Sequence, residues 1–148
     1  MMFRQQAGGE FVPQRAMLSC LTMPEAPLQK INIPSAFDRI DEQWSPHIAA
    51  RVNGQEVRLA KIEGAFEWHR HDGIDEAFFV VKGAFTMRFR DGDVEMGEGD
   101  FITVPAGVEH MPVAEKECWI MLIENAGTVN TGEHVSERTK TNLPDLGA

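Results

Sequence analysis

Turn-forming residues recur at short intervals through the middle of this chain, and they limit the length of any helix or strand. Asn53-Gly54, Asp72-Gly73, Asp91-Gly92 and Pro105-Ala106-Gly107 separate short stretches in which the residues favour extended structure. Asn-Gly and Asp-Gly form two-residue hairpin turns readily because these residues tolerate positive φ. Since no helical periodicity lies between the turns, the pattern predicts an all-β sandwich or barrel.

The stretches between the turns are predicted as strands. Cys118–Ile123 is continuously apolar, which is expected of a strand covered on both faces. The other predicted strands are Ile48–Val52, Val57–Ile62, Glu67–His71, Glu76–Val81, Phe85–Phe89, Val94–Met96, Phe101–Val104 and Glu109–Val113.

One short helix is predicted before the strands, over about residues 34–44. Pro34 suits a helix start, and Phe37, Ile40 and Trp44 form an apolar stripe at helical spacing. Pro46 prevents the helix from continuing. We expect this helix to cover the outside of the barrel.

The flanking segments divide the chain into three parts. Residues 1–30 lack periodicity and contain several Gly and Pro residues, so we expect an extended arm. Residues 31–125 form the predicted β-barrel domain, and the polar residues 126–148 are predicted to be a surface tail. An irregular arm of this kind commonly packs on a partner subunit, and we expect a homodimer.

Composition excludes several classes of function. A chain of 148 residues suits one domain, and its net charge of −9 disfavours binding to nucleic acid or to an anionic membrane surface. No apolar segment approaches the ~20 residues that a transmembrane helix needs. Cys20 and Cys118 lie far apart without metal-type spacing, so we expect free thiols and a cytoplasmic location.

Four residues form a candidate metal site. In an extended segment, His69 and His71 lie two positions apart and therefore on one face. The Asp72-Gly73 turn allows a neighbouring strand to bring Glu76 back to the two histidines. His110 also follows a turn, which can bring it to the same place from a third strand. Three imidazoles and one carboxylate suit a divalent Fe, Mn, Ni, Zn or Cu ion, and the ligand set does not select among these metals.

The segments around these four residues resemble the two motifs of the cupin family. Gly64–Gly83, which contains Trp-His-Arg-His and Glu76, is similar to the first motif, although one residue is missing between Gly64 and His69. Gly99–His110, which contains Val-Pro-Ala-Gly, is similar to the second, except that Ala114 replaces its usual final Asn. The resemblance implies a double-stranded β-helix, also called a jelly-roll barrel, with one metal inside one end and commonly a dimer. Small cupins of this type are often likened to RmlC-like sugar-phosphate isomerases.

Alternation also predicts which side chains accompany the ligands inside the barrel. Glu67 shares the parity of the two histidines and is a candidate acid-base residue. An apolar set is expected to line the pocket around the ion, namely Phe78, Val80, Phe85, Met87 and Phe89.

The resemblance to cupins and the ligand set do not decide which class of function the protein has. The first hypothesis is a metal-dependent enzyme acting on a small oxygen-bearing organic molecule, either a dioxygenase or an isomerase or lyase. The alternative is a non-catalytic cupin that binds or senses a metal or ligand. A third is a barrel that the metal only braces.

Overall fold

The structure is a computed structural model that describes residues 28–147, so almost all of the predicted arm at residues 1–30 lies outside the described residues. Within that range the chain is mostly β-structure. Its strands are β1 His47–Val52, β2 Gln55–Ala65, β3 Glu76–Lys82, β4 Ala84–Phe89, β5 Gly92–Gly97, β6 Phe101–Val104 and β7 His110–Asn125. All paired strands of this seven-stranded sheet run antiparallel, and the sheet closes into a jelly-roll barrel.

Strand β7 connects the two halves of the barrel. Its second half pairs with β2 on one side and with β3 on the other, while its first residues pair with β4. The remaining strands extend this arrangement, with β1 beside β2, β6 beside β3 and β5 beside β4. The segments Glu109–Val113 and Cys118–Ile123, predicted as two strands, are therefore parts of one strand of 16 residues.

The hairpin turns follow the turn residues of the sequence. Asn53 and Gly54 have φ of 50° and 79° and join β1 to β2, as their tolerance of positive φ predicts. The β4–β5 hairpin is displaced by one residue from its predicted position. Phe89 pairs with Gly92, so the two turn residues are Arg90 and Asp91.

The helix is shorter than the predicted segment of about 34–44. Helix α1 spans Ile33–Ala36, a 3₁₀ turn follows over Phe37–Arg39, and Ile40 is already extended. Trp44 has a positive φ of 57°, and its backbone N–H donates to the Lys61 carbonyl. The residues after Ile40 therefore gain hydrogen bonds along the edge of β2 instead of another helical turn.

Two apolar clusters lie on opposite faces of the sheet. The barrel interior contains side chains of one parity, which are Ala60, Ile62, Phe78, Val80, Phe85, Met87, Met96, Val104, Ala114, Cys118, Ile120 and Leu122. On the outer face, Phe37 stacks on Trp119 with ring centroids 4.7 Å apart, beside Ile40 and Leu59. The short helix thus covers the outside of the barrel, and Cys118–Ile123 is covered on both faces.

Residues 126–147 are more closely packed than the predicted surface tail. Thr128, Asn130 and Thr131 are buried, and Leu146 belongs to the outer apolar cluster. This polar segment packs largely through hydrogen bonds. Examples are those from Asn130 Nδ2 to the Arg138 carbonyl and from Lys140 N to Asn130 Oδ1. Among the described residues, no helix is long and apolar enough to cross a membrane.

Candidate metal centre

The four candidate ligands come from strand ends and one loop. Glu76 is the first residue of β3 and His110 the first residue of β7, whereas His69 and His71 lie in the loop between β2 and β3. His69 and His110 exchange two backbone hydrogen bonds of 3.1 and 2.9 Å, and Gly107 N donates to the His71 carbonyl at 2.9 Å. The segment Glu67–His71 is therefore not the predicted strand. It is a loop that these backbone hydrogen bonds hold against the start of β7.

The side chains of these four residues converge inside one end of the barrel. His69, His71, Glu76 and His110 are all buried, and one potential ligand atom from each lies within 4.8 Å of the other three. Glu76 Oε2 lies 3.2 Å from His110 Nε2 and 3.1 Å from His71 Nε2. The cluster could hold a metal ion.

Backbone carbonyls orient two of the imidazoles toward the centre of the cluster. His69 Nδ1 lies 2.9 Å from the Glu67 carbonyl, and His110 Nδ1 lies 2.9 Å from the Val108 carbonyl. A carbonyl oxygen can only accept, so each Nδ1 carries the proton and donates it. In the neutral ring the Nε2 lone pair then faces the cluster, which is the arrangement that fixes histidine ligands in metal sites.

Burial and neighbouring charges keep the donor atoms available to a cation. Burial, followed by repulsion from His110, lowers the pKa of His69 to about 4, so this ring is neutral at pH 7. Burial alone would raise the pKa of Glu76, but the His110 and His71 rings beside its Oε2 atom outweigh burial and lower that pKa to about 2. Glu76 is therefore a carboxylate at pH 7. Neutral imidazoles and an ionised carboxylate are the protonation states that bind a divalent metal.

A small cavity of about 40 Å³ lies against the cluster, with His69 and Glu76 in its wall. Its other lining side chains are mainly apolar and include Phe66, Phe78, Ile120 and Leu122, together with Glu124 and Asn130 as polar groups.

The residues expected to line the pocket separate into two groups. Phe78 lines the cavity, whereas Val80, Phe85 and Met87 pack in the barrel core and Phe89 packs against that core. By strand alternation all five of these side chains face inward. Of the five, only Phe78 is close enough to the metal-ligand end of the barrel to reach the cavity.

Glu67 does not line the cavity. Its backbone carbonyl orients His69, and its Oε2 atom is buried 3.5 Å from His134 Nε2 without a hydrogen bond to any described residue. Its role in proton transfer stays a prediction.

Sequence reasoning missed a buried charged network beside the cluster. Arg58 is 1% exposed and donates to Glu56 Oε2 through Nε and Nη2, at 2.9 and 2.6 Å. Its Nη1 donates to Glu124 Oε1 and to the Thr128 carbonyl, both at 2.7 Å. The alternation of side chains along β2 could have revealed this network, because Glu56 and Arg58 share the inward face of the strand with Ala60.

Burial is the largest influence on the pKa of Glu124. Burial, and then the charge of Glu76, raise the pKa of Glu124 to about 9, although Arg58 opposes this. A divalent cation bound beside Glu76 would lower that pKa, because its charge favours the ionised carboxyl.

The C-terminal segment packs directly on the loop that carries the two histidines. Glu133 N donates to the Arg70 carbonyl at 3.1 Å, and Arg138 Nη1 donates to the Ala65 carbonyl at 2.8 Å. At Gly132 a Cβ atom would lie 1.9 Å from the Arg70 oxygen and 3.2 Å from His71 Nδ1. Only glycine permits this approach, so the segment supports the loop from outside.

The barrel, together with the cluster of three histidines and one glutamate, defines a small β-barrel protein with a candidate mononuclear metal centre. Residues 52–123 match the model of the cupin domain family. A solved structure of a cupin-2 domain containing protein from Shewanella frigidimarina is 40% identical, with a TM-score of 0.63 over 64% of this chain and 93% of that chain. The chain belongs to the cupin family.

Two curated relatives match shorter parts of the chain. YdbB of Bacillus subtilis, an uncharacterized protein, is 29% identical over 80 residues, which are 53% of this chain and 71% of YdbB. An acireductone dioxygenase of Rhodopseudomonas palustris is 45% identical over 47 residues, which are 29% of this chain and 28% of the dioxygenase.

Proposed function

We propose that His69, His71, Glu76 and His110 bind one divalent transition metal, and that the chain is a metal-dependent enzyme acting on a small oxygen-bearing organic molecule. The observation that carries this proposal is the convergence of three buried imidazoles and one carboxylate beside a cavity. Two of the rings already present Nε2 to the centre, so the donor set fits a metal with little rearrangement.

The position of the cavity supports catalysis over a purely bracing role. A six-coordinate ion with four protein ligands keeps two positions for other molecules, and the cavity reaches His69 and Glu76. When bound, the metal would supply a Lewis acid or an activator of O₂. A fully enclosed structural ion would instead have protein atoms on every side.

The residues that line the cavity define which molecules can enter it. Phe66 and Phe78 present apolar surface beside the histidines, which excludes water and selects a small and partly apolar ligand. Glu124 and Asn130 add polar groups to the same wall.

The reaction is proposed to be of the dioxygenase or the isomerase or lyase type. The local similarity to an acireductone dioxygenase supports testing oxygen chemistry first. An isomerase or lyase would use the same metal without consuming oxygen.

The metal is tested first, with His110→Ala and His134→Ala as matched variants. His134 is half exposed and lies outside the cluster, so its variant should keep one metal per chain. His110→Ala should retain well below one metal per chain while circular dichroism shows a folded barrel. Full metal content in His110→Ala would contradict the proposed ligand set.

The enzyme proposal is tested on cobalt-substituted and iron-substituted protein. A panel of catechols, keto-acids, uronates and sugar phosphates is added while the metal's absorption spectrum and oxygen uptake are followed. We expect at least one compound to perturb the spectrum and to be converted, and Phe78→Ala to weaken its binding while the metal content stays unchanged. Binding without conversion across the panel would favour a non-catalytic binding or sensing cupin instead.

A further inference from the structure

Glu124 lines the cavity and carries a buried carboxyl oxygen that has no hydrogen-bond partner among the described residues. Its side chain is 1% exposed, and Oε1 accepts a hydrogen bond of 2.7 Å from Arg58 Nη1. Oε2 is buried and makes no hydrogen bond with any of residues 28–147. Burying a polar atom of this kind without a partner is unfavourable, so such atoms are retained mainly where another molecule satisfies them.

The strand register places Glu124 beside the candidate metal ligands. Ala77 on β3 pairs with Ile123 on antiparallel β7, so Glu76 and Glu124 occupy the next opposing positions. Opposing residues on paired strands have Cβ atoms about 5 Å apart. Both side chains also line the same cavity, and one ligand can therefore contact both the metal and Glu124.

Arg58 fixes which part of Glu124 faces the cavity. The guanidinium is held by Glu56 and by the Thr128 carbonyl as well as by Glu124 Oε1. Oε1 is thereby engaged on the Arg58 side, and Oε2 remains for the cavity. A polar atom fixed in this way in a mainly apolar wall determines ligand orientation and specificity.

We propose that Glu124 is a ligand-binding residue, and that its Oε2 atom hydrogen-bonds a hydroxyl group of a ligand bound to the metal. A hydroxyl both donates and accepts, so it can pair with either form of the carboxyl group. The favoured ligands are small polyhydroxylated acids or ketones with two oxygens that chelate the metal and one further hydroxyl. This inference rests on the proposed function, because it requires a metal that is accessible from the cavity.

Glycerate and lactate form a matched pair of probes. Both are 2-hydroxy acids that can chelate a metal, and only glycerate has a further hydroxyl on carbon 3. Titrating each into cobalt-substituted protein and following the cobalt absorption bands gives two dissociation constants. Wild type should bind glycerate about tenfold more tightly, because a site built for a hydroxyl disfavours the analogue that lacks it.

Three variants assign this preference to Glu124. Glu124→Met removes the polar atom at similar length and should reduce the preference to less than twofold. In Glu124→Gln the amide oxygen faces Arg58, which only donates, so its NH₂ group faces the cavity and should retain the preference within about threefold. Glu56→Gln perturbs the same Arg58 network at a residue that does not line the cavity, and it should retain the preference.

The outcomes separate this inference from the proposed function. If neither acid perturbs the wild-type cobalt spectrum, the proposed function fails and this inference fails with it. If both acids bind equally well, or if folded and metal-loaded Glu124→Met keeps the preference, only the role of Glu124 is refuted. Should Glu124→Met fail to fold, a crystal structure of wild type with glycerate decides. The 3-hydroxyl oxygen must lie within about 3.2 Å of Glu124 Oε2, and any other position overturns the proposal.

Discussion

Replacing Gly132 with alanine should destabilise the protein and weaken metal binding together. The new Cβ would lie 1.9 Å from the Arg70 carbonyl oxygen and 2.8 Å from the carbonyl carbon. These are backbone atoms, so the clash is relieved only if the C-terminal segment and the histidine loop separate. Separation breaks the 3.1 Å hydrogen bond from Glu133 N to the Arg70 carbonyl.

The magnitude follows from two contributions. Alanine at the Gly132 φ of +56° costs about 1 kcal/mol, and loss of the hydrogen bond costs about 1 kcal/mol more. We therefore expect a loss of about 2 kcal/mol in the free energy of unfolding. Because His71 follows Arg70, displacement of the loop should also lower metal affinity about tenfold or more.

Gly127→Ala is the matched control. Gly127 also has a positive φ of +81°, but its Cβ would meet nothing within 4 Å. This variant should lose only about 1 kcal/mol and bind metal as wild type does. Urea unfolding of the metal-free proteins and competitive metal titration measure both quantities. Equal destabilisation by the two substitutions, or unchanged metal affinity in Gly132→Ala, would refute the reasoning.

Two further predictions concern pH and assembly. Between pH 6.5 and about 4, His69 takes up a proton in the unfolded chain but not in the folded one, so its contribution should lower the stability of the metal-free protein by up to about 3 kcal/mol as pH falls through that range. Glu124, with its pKa raised to about 9, makes the opposite contribution above pH 4.5, so the loss is measured in the Glu124→Met variant, which lacks that carboxyl group. Glu76, with its pKa lowered to about 2, should add a further loss from about pH 4.5 downward. In urea unfolding of Glu124→Met, a flat stability profile from pH 7 to 4.5 would contradict the His69 assignment, and a flat profile below pH 4.5 would contradict the Glu76 assignment. We also predict a homodimer in which the arm at residues 1–30 or a sheet edge is covered by the partner. Light scattering at micromolar concentration should give twice the chain mass, and a monomer with or without the arm would exclude this assembly.

The strands and the candidate ligands were predictable because their signals are local. Alternating residues and Asn-Gly or Asp-Gly turns depend on a few neighbouring positions, and they located most of the strands. The spacing of His69, His71, Glu76 and His110 identified the same four residues that the structure brings together. The predicted geometry was only partly right, because the two histidines lie in a loop that forms an isolated β-bridge with β7 between His69 and His110.

The cavity wall and the C-terminal segment depend on contacts between distant parts of the chain. Parity predicts that Phe78 and Met87 both point inward, but it does not say which end of the barrel each one occupies. Of these two side chains, only Phe78 reaches the cavity. The polar residues after Asn125 gave no apolar pattern, so their packing through backbone hydrogen bonds at Gly132 and Glu133 had no sequence signal.

Charge balance links the buried network to the candidate metal centre. Glu56, Glu76 and Glu124 are all buried at one end of the barrel, and Arg58 is the guanidinium that pairs with the first and third of them. If all three carboxyl groups were ionised, they would leave an excess of negative charge against one guanidinium in a poorly solvated region, which is why burial and Glu76 raise the pKa of Glu124. A divalent cation held by Glu76 and the three histidines would offset this excess. Removing Glu124 would remove a carboxyl group that is costly to ionise, but it would also leave the cavity wall without its fixed polar atom. The carboxyl group beside Arg58 is therefore better explained by ligand binding than by stability of the metal-free barrel.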